Sequence, residues 1–156
     1  MRTTPLAPGD QLPTLELSHA DGRPASLDTI VGQYPVVVYF MRTPHCPVCH
    51  SHLRHMERSP EGTTTLADRT VVVGPGGAED AAAVARRHPA FAERVMASTT
   101  AHESVGLFVR AGLQQSGTFV VNSAGAVVAA RTSTIPLGAY DEPEVRAALE
   151  EAIRPA

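Results

Sequence analysis

Residues Met41 to His50 read MRTPHCPVCH and hold the only two cysteines of the chain, Cys46 and Cys49. A cysteine pair with two residues between and a histidine directly after admits three chemistries. Two thiols one helical turn apart can cycle through a disulfide. Thiolates with nearby imidazoles can bind zinc or copper. The string Cys-x-x-Cys-His also attaches c-type haem.

The redox reading depends on where the pair sits. A thiol is a useful nucleophile only as thiolate. A helix N-terminus offers partial positive charge and free N–H donors, which favour that form. Cys46 is then expected to be the nucleophile, with a lowered pKa and some exposure, and Cys49 the resolving thiol. Arg42 and His45, just upstream, add positive charge near Cys46. The metal reading rests on His45, His50, His52 and His55 in the same stretch. One helical step, about 100°, separates His50 from Cys49 and turns it away from a shared ligand position. His55 falls roughly opposite Cys46. The alternative for these histidines is a solvated polar face, with His50 an exposed helix residue. The haem reading generally requires export and a distal axial ligand, and no export signal is visible in MRTTPLAPGDQLPTLEL.

The elements around the pair decide how it is presented. Pro35 to Met41, PVVVYFM, is a nearly continuous β-branched and aromatic run, the pattern of a strand buried on both faces. Pro47 suits the first turn of a helix, where its missing N–H costs nothing. Cys46, Cys49, Leu53 and Met56 recur at helical spacing and form its apolar side. The dithiol is therefore expected at the junction of a buried strand and a helix N-terminus.

Elsewhere the chain reads as a short strand at Leu15 to Ser18, a turn at Asp21-Gly22 and an extended piece at Ala25 to Leu27. A strand in RTVVVGPGG precedes a helix in AEDAAAVARRH that Pro89 ends, and RVMAS is a further short strand. HESVGLFVR suggests a short helix. GTFVVNSAGAVVAAR is a hairpin turning at Asn122 to Gly125. In DEPEVRAALEEAI, Asp141 and Glu144 suit a capping box, with Val145, Leu149 and Ala152 facing inward. The alternation predicts an α/β layered sheet. His88 is expected as a helix-end residue, and His102 and Arg110 as surface residues. The glycines from Gly74 to Gly77 read as a turn.

Composition narrows the function classes. The chain has 156 residues, 43% hydrophobic and 19% charged, with a formal net charge of −3. That is a globular composition for one domain over residues 1–156. It carries no basic excess for nucleic acid or for an anionic membrane. All 13 basic residues are arginine, which leaves no Schiff-base or phosphate-loop lysine. The longest apolar run is far short of a membrane span, and a cytoplasmic protein is expected. In a reducing compartment two cysteines point to catalysis or metal binding rather than to a structural disulfide.

Three segments carry a resemblance. APGDQLPTLELSHADGRPASL, VVVYFMRTPHCPVC and GTFVVNSAGAVVAAR resemble the lead-in hairpin, the active-site strand and turn, and the late hairpin of the thioredoxin-fold peroxiredoxin-like proteins, the AhpC/TSA superfamily. MRTPHCPVC with LQQSGTFVV is most similar to the peroxiredoxin-like branch that includes prostamide/prostaglandin F synthase. The features of that branch fall on Arg42, Cys46, Cys49 and Gly117. Thr43 fits the threonine or serine three residues before the peroxidatic cysteine. Tyr39 stands where a typical peroxiredoxin has proline, and Gln114 to Thr118 contains neither the usual arginine nor the cis-proline of a thioredoxin.

The resemblance implies a thioredoxin-like α/β fold: a central mixed sheet flanked by helices, with an N-terminal hairpin extension. It implies a thiol-dependent oxidoreductase that reduces a peroxide, an endoperoxide or a disulfide. Cys46, Cys49, Thr43 and Arg42 would be catalytic, with Ser116, Gly117 and Thr118 facing the substrate. No cofactor is called for, and thioredoxin or a low-molecular-weight thiol would return the electrons. The alternative is a copper or zinc carrier on the same fold, with His102 as third ligand beside the two cysteines.

Overall fold

The computed structural model describes residues 2–153. The chain opens with a small hairpin, β1 (Leu17–His19) and β2 (Pro24–Ala25), and one helical turn, α1 (Asp28–Val31). The buried run forms β3 (Val36–Phe40), and α2 (Pro47–Arg58) follows it. A two-stranded ribbon, β4 (Pro60–Glu61) and β5 (Thr64–Thr65), leads to β6 (Thr70–Pro75), α3 (Ala78–Arg87), β7 (Val95–Ser98) and α4 (Ala101–Ser104). A second ribbon, β8 (Val109–Arg110) and β9 (Leu113–Gln114), precedes the late hairpin of β10 (Ser116–Val121) and β11 (Val127–Ser133), and α5 (Glu142–Ile153) closes the described chain.

Seven strands form one mixed sheet in the order β11-β10-β3-β6-β7-β1-β2. β3, β6 and β7 run parallel, while β10 and β11 on one side and β1 and β2 on the other are antiparallel. The lead-in hairpin is thus an edge of the main sheet. The continuous apolarity of β3 has its cause in this order: it lies between β10 and β6 with helices on both faces, and all five residues are buried.

Alternation along β3 splits the interior in two. Val37, Tyr39 and Met41 join the two cysteines with Leu53 and Met56 of α2, Ala81 and Val84 of α3, and Leu149 of α5. Val36, Val38 and Phe40 face the opposite way, toward Leu6, Val31, Ala101 and Leu107. Burying side chains of this size contributes about 1.5–3 kcal/mol each. Leu53 and Met56 therefore fix α2, and with it the dithiol, against the sheet.

Most elements sit close to their expected places, with local differences. The helix expected in HESVGLFVR spans only Ala101–Ser104, and Val109–Arg110 is a strand instead. The first strand is shifted to Leu17–His19 by its pairing with β7. Pro89 ends α3 and begins a 3-10 turn, Pro89–Arg94. At α5 the Glu144 N–H donates to Asp141 Oδ2 at 3.1 Å, one half of the capping box, and the Glu144 carboxylate turns instead to Arg131.

Candidate active site

β3 ends at Phe40, and Met41 to His45 turn the chain into α2. Cys46 N–H donates to the Thr43 carbonyl at 3.3 Å, and His45 N–H donates to Thr43 Oγ1 at 3.3 Å. Thr43 thereby shapes the turn from both its backbone and its hydroxyl. Cys46 is the N-cap of α2, Pro47 is its first residue, and Cys46 Sγ accepts the Cys49 N–H at 3.4 Å. An orphan N–H of the helix terminus thus points at the first sulfur. Arg42 N–H donates to Cys49 Sγ at 3.4 Å, and both cysteines are free thiols.

The two thiols are driven apart in acidity. Burial pushes Cys46 up, but the Cys49 thiol, the Cys49 N–H and the Arg42 guanidinium outweigh it, and its pKa falls below the ordinary value. Cys49 is raised to about 11, chiefly by burial. Cys46 is therefore the more acidic thiol of the pair and the one favoured as thiolate. The expectation of some exposure for Cys46 needs correcting: only 2% of it is accessible, because it packs into the core cluster with Cys49 and Leu53.

The facing segment divides by side-chain direction. One step beyond the pairing of Gly117 with Phe40, Ser116 stands opposite Met41 on the cysteine face of the sheet. Its hydroxyl is buried and has no partner among the described residues, and the same holds for Arg42 Nε. Thr118 lies on the same face, with its hydroxyl committed to the Ala139 carbonyl at 2.6 Å. Gly117 points the other way, and a Cβ there would meet the Arg131 carbonyl at 2.7 Å. Close strand approach accounts for that glycine.

The histidines correct the expectation of a solvated helix face. His50 is fully buried: its Nε2 bonds the Pro44 carbonyl at 2.7 Å, and its Nδ1 meets His88 Nε2 at 2.7 Å. His88, buried at the end of α3, carries the chain on to Glu57. The Pro44 carbonyl and a Glu57 carboxylate only accept, so three bonds need three protons, one more than two neutral imidazoles hold. Burial lowers the pKa of His50, which favours its neutral ring. This chain ties the active-site turn to α2 and α3.

His102 also departs from expectation, being 5% exposed. Its Nε2 donates to the Met41 carbonyl at 2.7 Å, and its ring packs edge-on against Phe40, on the face of the sheet opposite the cysteines. That direction removes it as a third metal ligand beside Cys46 and Cys49. No group of three His, Cys, Asp or Glu side chains converges as a metal site among the described residues. His55 pairs with Glu142 at the surface, and Arg110 is exposed and lies over the Phe108 ring.

The sequence gives Tyr39 no functional role and His52 only a place among the candidate metal ligands. Tyr39, from β3, is fully buried, and its hydroxyl lies 2.6 Å from His52 Nδ1 on α2. The period-2 placement of Tyr39 with Val37 and Met41, and the three-residue step from Cys49 to His52, are the signals that put them together.

A buried cysteine of lowered pKa at a helix N-terminus after a central parallel strand is an arrangement suited to thiol-based redox chemistry. The sequence profile described as the AhpC/TSA family matches residues 8–130. The chain belongs to that family, and it is a thiol-dependent peroxidase or oxidoreductase enzyme with a peroxiredoxin-like thioredoxin fold. Its fold is similar to peroxidoxin BcpB from Mycobacterium tuberculosis at 22% identity and a TM-score of 0.71, covering 96% of this chain and 99% of that one. It is similar to reduced Prx3 from Vibrio vulnificus, solved in complex with hydrogen peroxide, at 16% identity and a TM-score of 0.69, over 94% and 99% of the two chains. A putative protein disulfide isomerase from Bacteroides thetaiotaomicron shares the fold at 14% identity and a TM-score of 0.59, over 94% and 87%. No curated protein sequence matches the chain. No helix among the described residues is long and apolar enough to cross a membrane.

Proposed function

We propose that the protein reduces a peroxide or endoperoxide through Cys46 and closes the Cys46–Cys49 disulfide in each turnover, as one thioredoxin-like domain over residues 1–156. The Cys46 thiolate attacks one oxygen of the O–O bond. With a hydroperoxide that oxygen stays on sulfur as a sulfenic acid, and with an endoperoxide, whose oxygens are both bonded to carbon, as a sulfenate ester; the other oxygen leaves as water or alcohol after taking a proton. Cys49 then displaces the sulfur-bound oxygen as water or as alcohol. A second dithiol of the thioredoxin type or a low-molecular-weight thiol returns the two electrons, and the cytoplasm is the compartment that maintains both.

The observation that carries the reading is the Cys46 sulfur, buried yet held toward thiolate by the Cys49 N–H and Arg42. Arg42 supports it further. The late strand lacks the arginine usual in peroxiredoxins, and Arg42 supplies a positive charge that acts on Cys46. With Arg42 Nε and Ser116 Oγ lacking partners, these two have hydrogen-bonding capacity to give the attacked bond. Thr43 holds the turn, while Gly117 and Thr118 set the strand that presents Ser116.

Stopped-flow oxidation of the reduced protein by hydrogen peroxide, beside an insulin-reduction assay, tests the reading. Cys46 oxidation by peroxide at least a hundredfold faster than free cysteine is expected, and none in Cys46→Ser, on the scale of a positioned, electrostatically activated nucleophile. Fast insulin reduction with slow peroxide oxidation would move the substrate to disulfides. Oxidation no faster than a free thiol by either reagent overturns the reading.

A further inference from the structure

Resolution of an oxidised Cys46 requires Cys49 to give up a proton, yet Cys49 is fully buried. Its surroundings mostly supply donors: Arg42 N–H points at its sulfur, and its own N–H is spent on Cys46. The group beside it with a lone pair to take a proton is Tyr39. Cys49 and His52 are one turn apart on the same side of α2, and the Tyr39 whose hydroxyl bonds His52 Nδ1 belongs to the same core cluster as Cys49, each acting on the other's acidity. His52 is half-buried, and its Nε2 has no bond within the described residues. The three groups form a line from a buried sulfur toward the surface.

We propose that Tyr39 and His52 carry the Cys49 proton out of the core during disulfide closure. The Cys49 S–H proton passes to the Tyr39 oxygen as the Tyr39 proton passes to His52 Nδ1, and His52 releases its Nε2 proton to water. The sulfur lone pair of Cys49 forms the S–S bond to Cys46. In a Cys46 sulfenic acid the S–O bond breaks, and hydroxide leaves as water. In a mixed disulfide the substrate S–S bond breaks, and the released thiolate takes the proton. The oxidant is the peroxide or disulfide already assigned to Cys46, so the proposal rests on that reading.

Burial supports the starting arrangement. It holds the phenol of Tyr39 protonated, with the charges of Cys49 and Cys46 acting in the same direction. It also lowers His52 to about 4, so that the ring is a neutral acceptor at Nδ1. The other titratable groups facing this line are Cys46, Arg42, His55 and Tyr140, with Glu142 reaching it through His55. Tyr140 presents its ring to both Tyr39 and His52.

The test separates the two steps. Reduced protein is mixed with one equivalent of hydrogen peroxide, quenched in acid at intervals, alkylated and weighed by mass spectrometry. In Tyr39→Phe, which keeps the ring and its packing, closure is expected to slow on the order of a hundredfold. Oxidation of Cys46 should stay within about threefold, so the sulfenic acid accumulates. His52→Gln should slow closure less and change its pH profile, since Tyr39 then has only a neutral amide to receive its proton. Wild-type closure and pH profile in Tyr39→Phe would overturn the proposal, and so would an equal loss in both steps, which marks Tyr39 as packing only. A wild-type Cys46 that peroxide and disulfide both fail to oxidise removes the underlying reading, a failure seen in the first step.

Discussion

Cys46 and Cys49 are the same side chain three residues apart, yet one is held toward thiolate and the other toward thiol. The difference comes from who donates to whom. Cys46 receives the Cys49 N–H and the Arg42 charge, whereas burial dominates at Cys49. The sign for reactivity follows. Cys46 alkylation should follow a titration whose midpoint lies below that of an ordinary cysteine, falling away as pH drops through that midpoint. Arg42→Leu removes an opposite charge, so the midpoint should rise and the rate at neutral pH should fall by roughly tenfold. Iodoacetamide kinetics across pH check both. An Arg42→Leu profile identical to wild type would leave the helix terminus alone as the cause.

At the scale of elements, the site is a joint between β3, α2 and the end of α3. Leu53 and Met56 dock α2, while the His50–His88–Glu57 chain ties the Pro44 carbonyl to two helices. His88→Ala leaves the His50 nitrogen and the Glu57 carboxylate without their shared partner in a buried place. A loss of about 1–3 kcal/mol in urea unfolding is expected, the cost of leaving a buried hydrogen-bonding group without its partner. Because the chain ends on the active-site turn, Cys46 alkylation should also change in this variant. An unchanged alkylation rate in a destabilised His88→Ala protein would confine the chain to a structural role.

At the scale of the whole molecule, acid weakens the fold through its buried imidazoles. His102 is lowered by burial from an ordinary 6.5 to about 4, and it donates to Met41 from the opposite core. Its folded pKa lies below its unfolded one, so its contribution is complete above about 6.5 and is lost as pH falls from there toward 4. Full protonation costs about 3 kcal/mol by linkage. His52 acts in the same direction. Thermal melts from pH 7 to pH 4 should show a steep fall, flattened in His102→Gln, which retains a donor for Met41. A His102→Gln protein with the wild-type slope would place the acid sensitivity elsewhere. Glu142, held down to about 2 chiefly by Ser59 and then by His55 and Arg146, adds a separate loss below about 4.5.

The sequence by itself determined the strand–turn–helix that carries the two cysteines, and the late hairpin. These follow from local signals: the period of apolar residues, Pro47 at a first turn, and Asn122 to Gly125 at a hairpin turn. Only the tertiary structure decided what the histidines do. His50 and His88 lie 38 positions apart, and His102 and Met41 lie 61 apart. Whether a histidine is solvated or buried against a distant partner depends on which helices cover which face of the sheet. The same holds for Ser116, which joins the cysteine face only because β10 lies beside β3, and for Tyr39, whose hydroxyl gains its role when α2 folds over it and sets His52 above Cys49.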